Sequence, residues 1–232
     1  MDSLHPLLTV SGTLLLRTSL QMLAYAMISW RALDLGTLDA ATHQVAMQLF
    51  WFLATAGEPL SVTAQSLIAR DMADSSRVRE MARLLLRFGV VLGTILGTVG
   101  AATFGIGQEM FTQDAKVKSR LQALWPQALV AEISAVCTLV LDGVCVGSSD
   151  FGHLPRDCMV ATALSAGGLF TAQKLGWGLS GVWMQIAVFF STRLVLHTLH
   201  VFLSYQKSLL GRGPQPGSVA KEGGKDRFDL SV

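Results

Sequence analysis

The run from Leu38 to Arg70, LDAATHQVAMQLFWFLATAGEPLSVTAQSLIAR, is long and apolar enough to cross a bilayer, yet it carries Gln44, Gln48, Thr55, Glu58 and Gln65. At about 100° per residue these five fall on one helical stripe roughly 100° wide. An amide or carboxylate facing hydrocarbon costs several kcal/mol unless it is paired or wet. The stripe must therefore turn toward a protein interior or a wet cavity. That predicts binding or passage of a polar solute inside a membrane.

Apolar stretches of spanning length recur along most of the chain, so the reading is an all-α membrane protein with six transmembrane helices. They fall at roughly 7–33, 38–69, 82–107, 121–146, 154–172 and 178–205. Only 15% of residues are charged, well under the ~25% of soluble domains, and the mean hydropathy is +0.47. Turn signals separate the helices: Asp34 to Thr37, Asp71 to Ser76, Gly147 to Asp150 and Leu175 to Gly178. Pro59 should bend the second helix. Gly93 and Gly97 have the small-xxx-small spacing that lets membrane helices approach closely. Residues 1–210 form one transmembrane lobe. Residues 211–232, GRGPQPGSVAKEGGKDRFDLSV, read as a disordered polar tail.

Loop charge orients the lobe. Six spans place Arg70, Arg77, Arg79, Arg83, Arg87, Arg156, Lys207, Arg212, Lys221, Lys225 and Arg227 on one side. The other side holds Arg31, Lys116, Lys118, Arg120 and Lys174. The bias puts both termini inside, and Arg77, Arg79, Arg83 and Arg87 make an inside-facing basic surface near lipid phosphates. A net charge of +2 is too small to argue for nucleic acid. Cys137, Cys145 and Cys158 form no metal-ligand pattern and read as small buried residues. MDSLHPLLTV has neither a signal-peptide n-region nor transit-peptide composition, so no targeting signal is expected in the chain.

Two further helices carry coherent polar faces. Thr18, Gln21, Tyr25 and Ser29 lie together on the first, and Gln127, Ser134, Thr138, Asp142 and Cys145 on the fourth, each within about 80°. Three such faces suggest one shared polar interior. Mid-helix Gln, Ser and Thr are ordinarily interhelical glue, and Tyr25 is ordinarily packing or an interface anchor. Glu58 and Asp142 differ, because an intramembrane carboxylate is a functional hypothesis by default. Glu58 would be structural if it caps a break at Pro59. Glu132 falls on the face opposite Asp142. Arg17 and Arg193 lie within a few turns of helix ends, where they are expected to snorkel. His197 and His200, spaced i, i+3, lack the second pair a metal would want. No phosphate-binding loop, nucleophile elbow or zinc-protease motif is present, so an enzyme is not expected.

Particular strings resemble one family. ALDLGTLDAATHQVAMQLF is similar to the "LG…AAHQ" segment opening the eighth helix of multidrug and toxic compound extrusion (MATE) transporters, with Thr42 in place of the usual Ala. LVLDGVCVGSSDFGHLPRDCMV resembles the tenth-helix "LDG" segment and the loop after it, and GLSGVWMQIAVFFSTRLV the twelfth-helix segment. GEPLSVTAQSLIAR is similar to plant plastid-type members of the DNA-damage-inducible-F-like subgroup. The resemblance runs in order from about Leu14 to Leu203, across the family's second six-helix lobe only.

The resemblance implies a secondary active antiporter that exports organic solutes or xenobiotics in exchange for H⁺ or Na⁺. The coupling ion stands in place of any cofactor. It implies an integral, multi-pass protein in contact with the lipid bilayer and a small organic solute, and the plastid-type string points to a plastid membrane. A second six-helix lobe, in a homo- or heterodimer, would complete it. Asp142 stands where part of the family has an acidic position linked to cation binding, and Gln44 and Gln48 stand in the matching cavity-lining segment. The candidate cavity is therefore Asp142, Glu58, Gln48, Gln44, Tyr25 and Thr138, with no catalytic or metal-ligating residue. The competing expectation is a non-transporting membrane scaffold, or a regulatory partner of a full-length transporter.

Overall fold

Apolar runs in hydrocarbon can satisfy their backbone hydrogen bonds within one segment only as helices, and helices are what the chain forms. The computed structural model describes residues 4–72, 74–107, 109 and 111–211, with side chains described for residues 8–203 of these other than residue 75. The helices are α1 (Leu4–Asp34), α2 (Thr37–Thr55), α3 (Glu58–Arg70), α4 (Ser75–Gly105), α5 (Ala115–Ala123), α6 (Trp125–Gly147), α7 (Leu154–Lys174) and α8 (Gly178–Gly211). No strand occurs among the described residues. The tail expected from residue 211 lies, from residue 212 on, outside the described residues.

Among the described residues eight helices stand where six were expected, and local chemistry accounts for the difference. Pro59 has no N–H for the Thr55 carbonyl, so the ladder tightens at the bend. Ala56, Gly57 and Leu60 donate three residues back, to Leu53, Ala54 and Gly57, at 3.0, 2.9 and 3.1 Å. The expected second helix is thereby divided into α2 and α3. Pro126 opens α6 in the same way, and the preceding α5 is capped by Asp114, whose carboxylate accepts from Lys116 N at 2.8 Å. Helix α4 starts earlier than expected because Asp74 caps it, accepting from Ser76 N at 3.0 Å and Arg77 N at 3.2 Å. Arg77, Arg79, Arg83 and Arg87 thus ride on the first turns of α4.

Length and apolarity alone mark 76–105, 125–147 and 178–203 as able to cross a membrane. Leu15, Trp30, Phe52, Phe88, Ile95, Phe170 and Leu199 are exposed around the outside. An apolar surface of that extent suits lipid rather than water.

Helix α6 is the centre of the lobe, buried along most of its length, with α3, α4 and α8 packed around it. Helix α7 packs on α8 and α1. The small residues work as expected on α4: a Cβ on Gly93 would lie 3.1 Å from Ile133 Cα, and one on Gly97 2.8 Å from Leu129 Cδ1. Two glycines of α6 permit a closer approach still. A Cβ on Gly143 would collide with the Ser61 carbonyl, and one on Gly147 with that of Gln65, both on α3. Ser61 Oγ donates to the Leu139 carbonyl at 2.6 Å across the same seam. Aromatic side chains fill the core between α1, α2 and α8: Tyr25, Phe50, Trp183, Phe189 and Phe190.

Candidate functional site

The bend at Gly57 sends the polar stripe of α2–α3 to two different places. On α2, Gln44, Gln48 and Thr55 line an open cavity of about 690 Å³ with Tyr25, Ser29, His43, Trp51 and Phe52. On α3, Glu58 and Gln65 line a smaller cavity of about 240 Å³, shared with Arg17, Ser61 and Asp142. Glu58 is exposed there and makes no capping bond. Thr138 reaches neither cavity. Its hydroxyl donates to the Ser134 carbonyl at 2.7 Å and the Phe190 carbonyl at 3.2 Å, which makes it a fastener between α6 and α8.

Asp142 is the hub of the smaller cavity. Arg193 Nη2 donates to both of its oxygens, at 2.8 Å to Oδ2 and 3.1 Å to Oδ1. Arg17 Nη1 reaches Oδ2 at 2.9 Å, and His197 Nε2 lies 2.9 Å from Oδ1. Arg193 is 1% exposed and His197 0%. The expectation that Arg17 and Arg193 snorkel to the interface is therefore corrected: a buried carboxylate within reach outcompetes the headgroup region, because a paired charge loses less on burial than a lone one. His197 likewise faces inward, with Nδ1 3.2 Å from Asp157 Oδ2. Sequence periodicity could not reveal this, because the partners come from α1, α6, α7 and α8.

A polar thread joins the two cavities. Arg193 Nη1 donates to Gln21 Oε1 at 3.1 Å, and Gln21 Nε2 donates to the Tyr25 hydroxyl at 2.9 Å. Tyr25 lies edge-on to Trp51, with ring centroids 5.1 Å apart, on the wall of the larger cavity. Gln21 was visible on the α1 stripe, but its role as the link between charge cluster and aromatic wall was not. Arg17 Nε and Arg193 Nε have no hydrogen-bond partner.

Glu132 stands apart. It is 2% exposed, its Oε1 has no partner, and its surroundings are Leu49, Phe50, Leu53, Phe104 and the Gly97 and Gly100 backbone. A buried polar group without a partner is a net cost of about 1–3 kcal/mol. Glu132→Leu, which replaces the carboxylate with an apolar group only slightly larger, is therefore expected to raise the thermal unfolding midpoint in detergent, and an unchanged or lower midpoint would count against an unpaired carboxylate there.

No family model matches the chain. It is similar to three curated proteins of Arabidopsis thaliana. DETOXIFICATION 47, chloroplastic, is 29% identical over 201 residues, covering 85% of this chain and 37% of the relative. DETOXIFICATION 44, chloroplastic, is 29% identical over 188 residues, covering 79% and 36%. DETOXIFICATION 45, chloroplastic, is 27% identical over 186 residues, covering 79% and 33%. The chain thus spans about a third of the length of these relatives. Its fold is similar to that of a MOP superfamily transporter from Pyrococcus furiosus and to that of an outward-facing multidrug resistance MATE family transporter of the MOP superfamily. Each superposes with a TM-score of 0.73 at 16% identity, over 84% of this chain and 44% of the other.

Proposed function

We propose that this chain, a relative of the multidrug and toxic compound extrusion transporters with one lobe of their fold, supplies half of a secondary active antiporter. The solved structures that its fold resembles are those of transporters. In the proposal, an organic solute or xenobiotic lies against the wall formed by Tyr25, Gln44, Gln48, Trp51 and Phe52, and a second six-helix lobe closes the opposite side. Aromatic faces and amide groups on one open wall suit an amphipathic organic solute. Both termini lie inside and the membrane is that of a plastid, a reading supported by the basic first turns of α4 and by the chloroplastic relatives.

The observation that carries the proposal is the thread Asp142–Arg193–Gln21–Tyr25. A coupling H⁺ or Na⁺ arriving at Asp142 through the smaller cavity competes with Arg193 for the carboxylate. Arg193 then loosens, Gln21 is freed to re-pair, and the Tyr25 hydroxyl at the solute wall loses its partner. Coupling is the free-energy difference that each ligand makes between the two arrangements. Glu58, exposed in the same cavity as Asp142, is the second carboxylate available to the ion.

Proteoliposomes carrying the purified chain, with or without a co-reconstituted first lobe from a relative, test this under an imposed pH or sodium gradient. Solute flux that follows the gradient is expected only when the cavity is closed by a second lobe, and Asp142→Asn is expected to uncouple it. Flux from the chain alone would indicate a homodimer. The scaffold reading draws on Asp142 already being saturated by Arg193, Arg17 and His197. It predicts association with a full-length relative and no effect of Asp142→Asn on any flux.

A further inference from the structure

We propose that Asp150, His153 and His200 form a binding site for a divalent transition-metal ion of the zinc class, at the aqueous end of the connection between α6 and α7. Asp150 Oδ2 lies 2.8 Å from His200 Nε2, and Asp150 Oδ1 lies 3.8 Å from His153 Nδ1. One donor atom from each of the three residues falls within 4.8 Å of the other two. Two imidazoles and a carboxylate are the donor set that zinc and its neighbours favour, with a further position left for water.

His153 points to an ion independently of this grouping. Its side chain is 4% exposed, and its Nδ1 has no hydrogen-bond partner. The other nitrogen, Nε2, lies 3.9 Å from Asp157 Oδ2 and 3.7 Å from Cys145 Sγ. Nε2 is the ring nitrogen with a hydrogen-bond partner, Cys145 Sγ, and with the proton there, toward the thiol and the Asp157 carboxylate, the ring has the outer-shell arrangement that orients metal-binding imidazoles. The Nδ1 lone pair is then left facing the Asp150 carboxylate, too far away for a hydrogen bond. Two lone-pair donors aimed at one another are reconciled by a cation between them.

The inner trio His153, Asp157 and His197 is also close enough to hold an ion. There, however, both nitrogens of His197 are engaged, by Asp142 and Asp157, so that trio orients rather than ligates. The rings of His153 and His200 stack, with centroids 3.5 Å apart and planes at 18°, which holds the two imidazoles side by side; binding one ion requires the exposed His200 ring to turn out of the stack. Asp150 and His200 keep 48% and 24% of their side-chain surface exposed, which gives the ion an entry path from water. Bound there, it clamps the α6–α7 connection to α8. His200 had looked like half of an unsupported His pair; the connection supplies the missing ligands.

Titration calorimetry on the full chain, purified in detergent without a histidine tag and stripped with chelator, tests the site with Zn²⁺. One equivalent is expected to bind. Asp150→Asn and His200→Gln, both at the exposed rim, are each expected to weaken binding by more than the ~10–100-fold typical of losing an outer-shell partner. Circular dichroism confirms that the two variants keep their helix content. With Co²⁺ as the probe, ligand-field bands without a thiolate charge-transfer band are expected. Equal affinity in wild type and both variants, absence of binding to the wild type, or a thiolate band assigning the metal to Cys145 would each overturn the site.

Discussion

Asp142→Ala is expected to cost the folded lobe about 3–5 kcal/mol, the range found when one partner of a buried ion pair is removed. The residue lies 7% exposed at the meeting point of two guanidiniums and an imidazole. Its removal leaves Arg193 buried with only Gln21 to bond. Arg193→Met alone should be milder, because Asp142 keeps Arg17 and His197. In the double variant Asp142→Ala with Arg193→Met, part of the loss should be restored, since neither charge then remains to be desolvated. Unfolding midpoints in detergent for the four chains close a double-mutant cycle. Additive effects would show that the pair is not coupled, and the proposed route from Asp142 through Arg193 to Tyr25 would lose its first step.

The second large effect is expected at Gly143. Its Cα hydrogen faces the Ser61 carbonyl so closely that even a methyl group cannot be accommodated without moving α3. Gly143→Ala should therefore cost about 1–3 kcal/mol through overpacking, and Gly143→Val more. Because α3 carries Glu58, Ser61 and Gln65, its displacement should also open the smaller cavity. A cysteine introduced at Gln65 would report this by faster modification with a water-soluble thiol reagent. The background is low because Cys137, Cys145 and Cys158 are all buried. An unchanged modification rate together with an unchanged midpoint would mean that α3 and α6 are not in close contact.

Most helices, the bend at Pro59 and the polar faces were legible in the chain because each depends on neighbours in sequence, whereas the separate α5 was not foreseen. Pro59 interrupts its helix wherever that helix sits, since the missing N–H is a local fact. The stripe of Gln44, Gln48, Glu58 and Gln65 was visible for the same reason, and so was the close packing of Gly93 and Gly97. What was not legible was the division of that stripe between two cavities. The helix is interrupted between Thr55 and Glu58, and no periodicity count carries across the break. Thr138 was grouped with Asp142 by helical angle, but the angle could not show that α8 covers that part of the face.

Arg193 shows the limit most clearly. An arginine a few turns from a helix end has two low-energy destinations, the headgroup region or a buried carboxylate, and composition cannot choose between them. The choice depends on whether Asp142, distant in sequence, is brought within 2.8 Å. His153 and His200 are the same case, two isolated imidazoles until the α6–α7 connection lays one ring on the other. The sequence by itself therefore determined an all-helical membrane chain with its polar side chains gathered on coherent helix faces, because scattering unpaired polar groups over hydrocarbon-facing surface costs too much. Only the tertiary structure decided which charges meet, because electrostatic pairing in a low-dielectric interior acts over a few ångströms between helices that are remote along the chain.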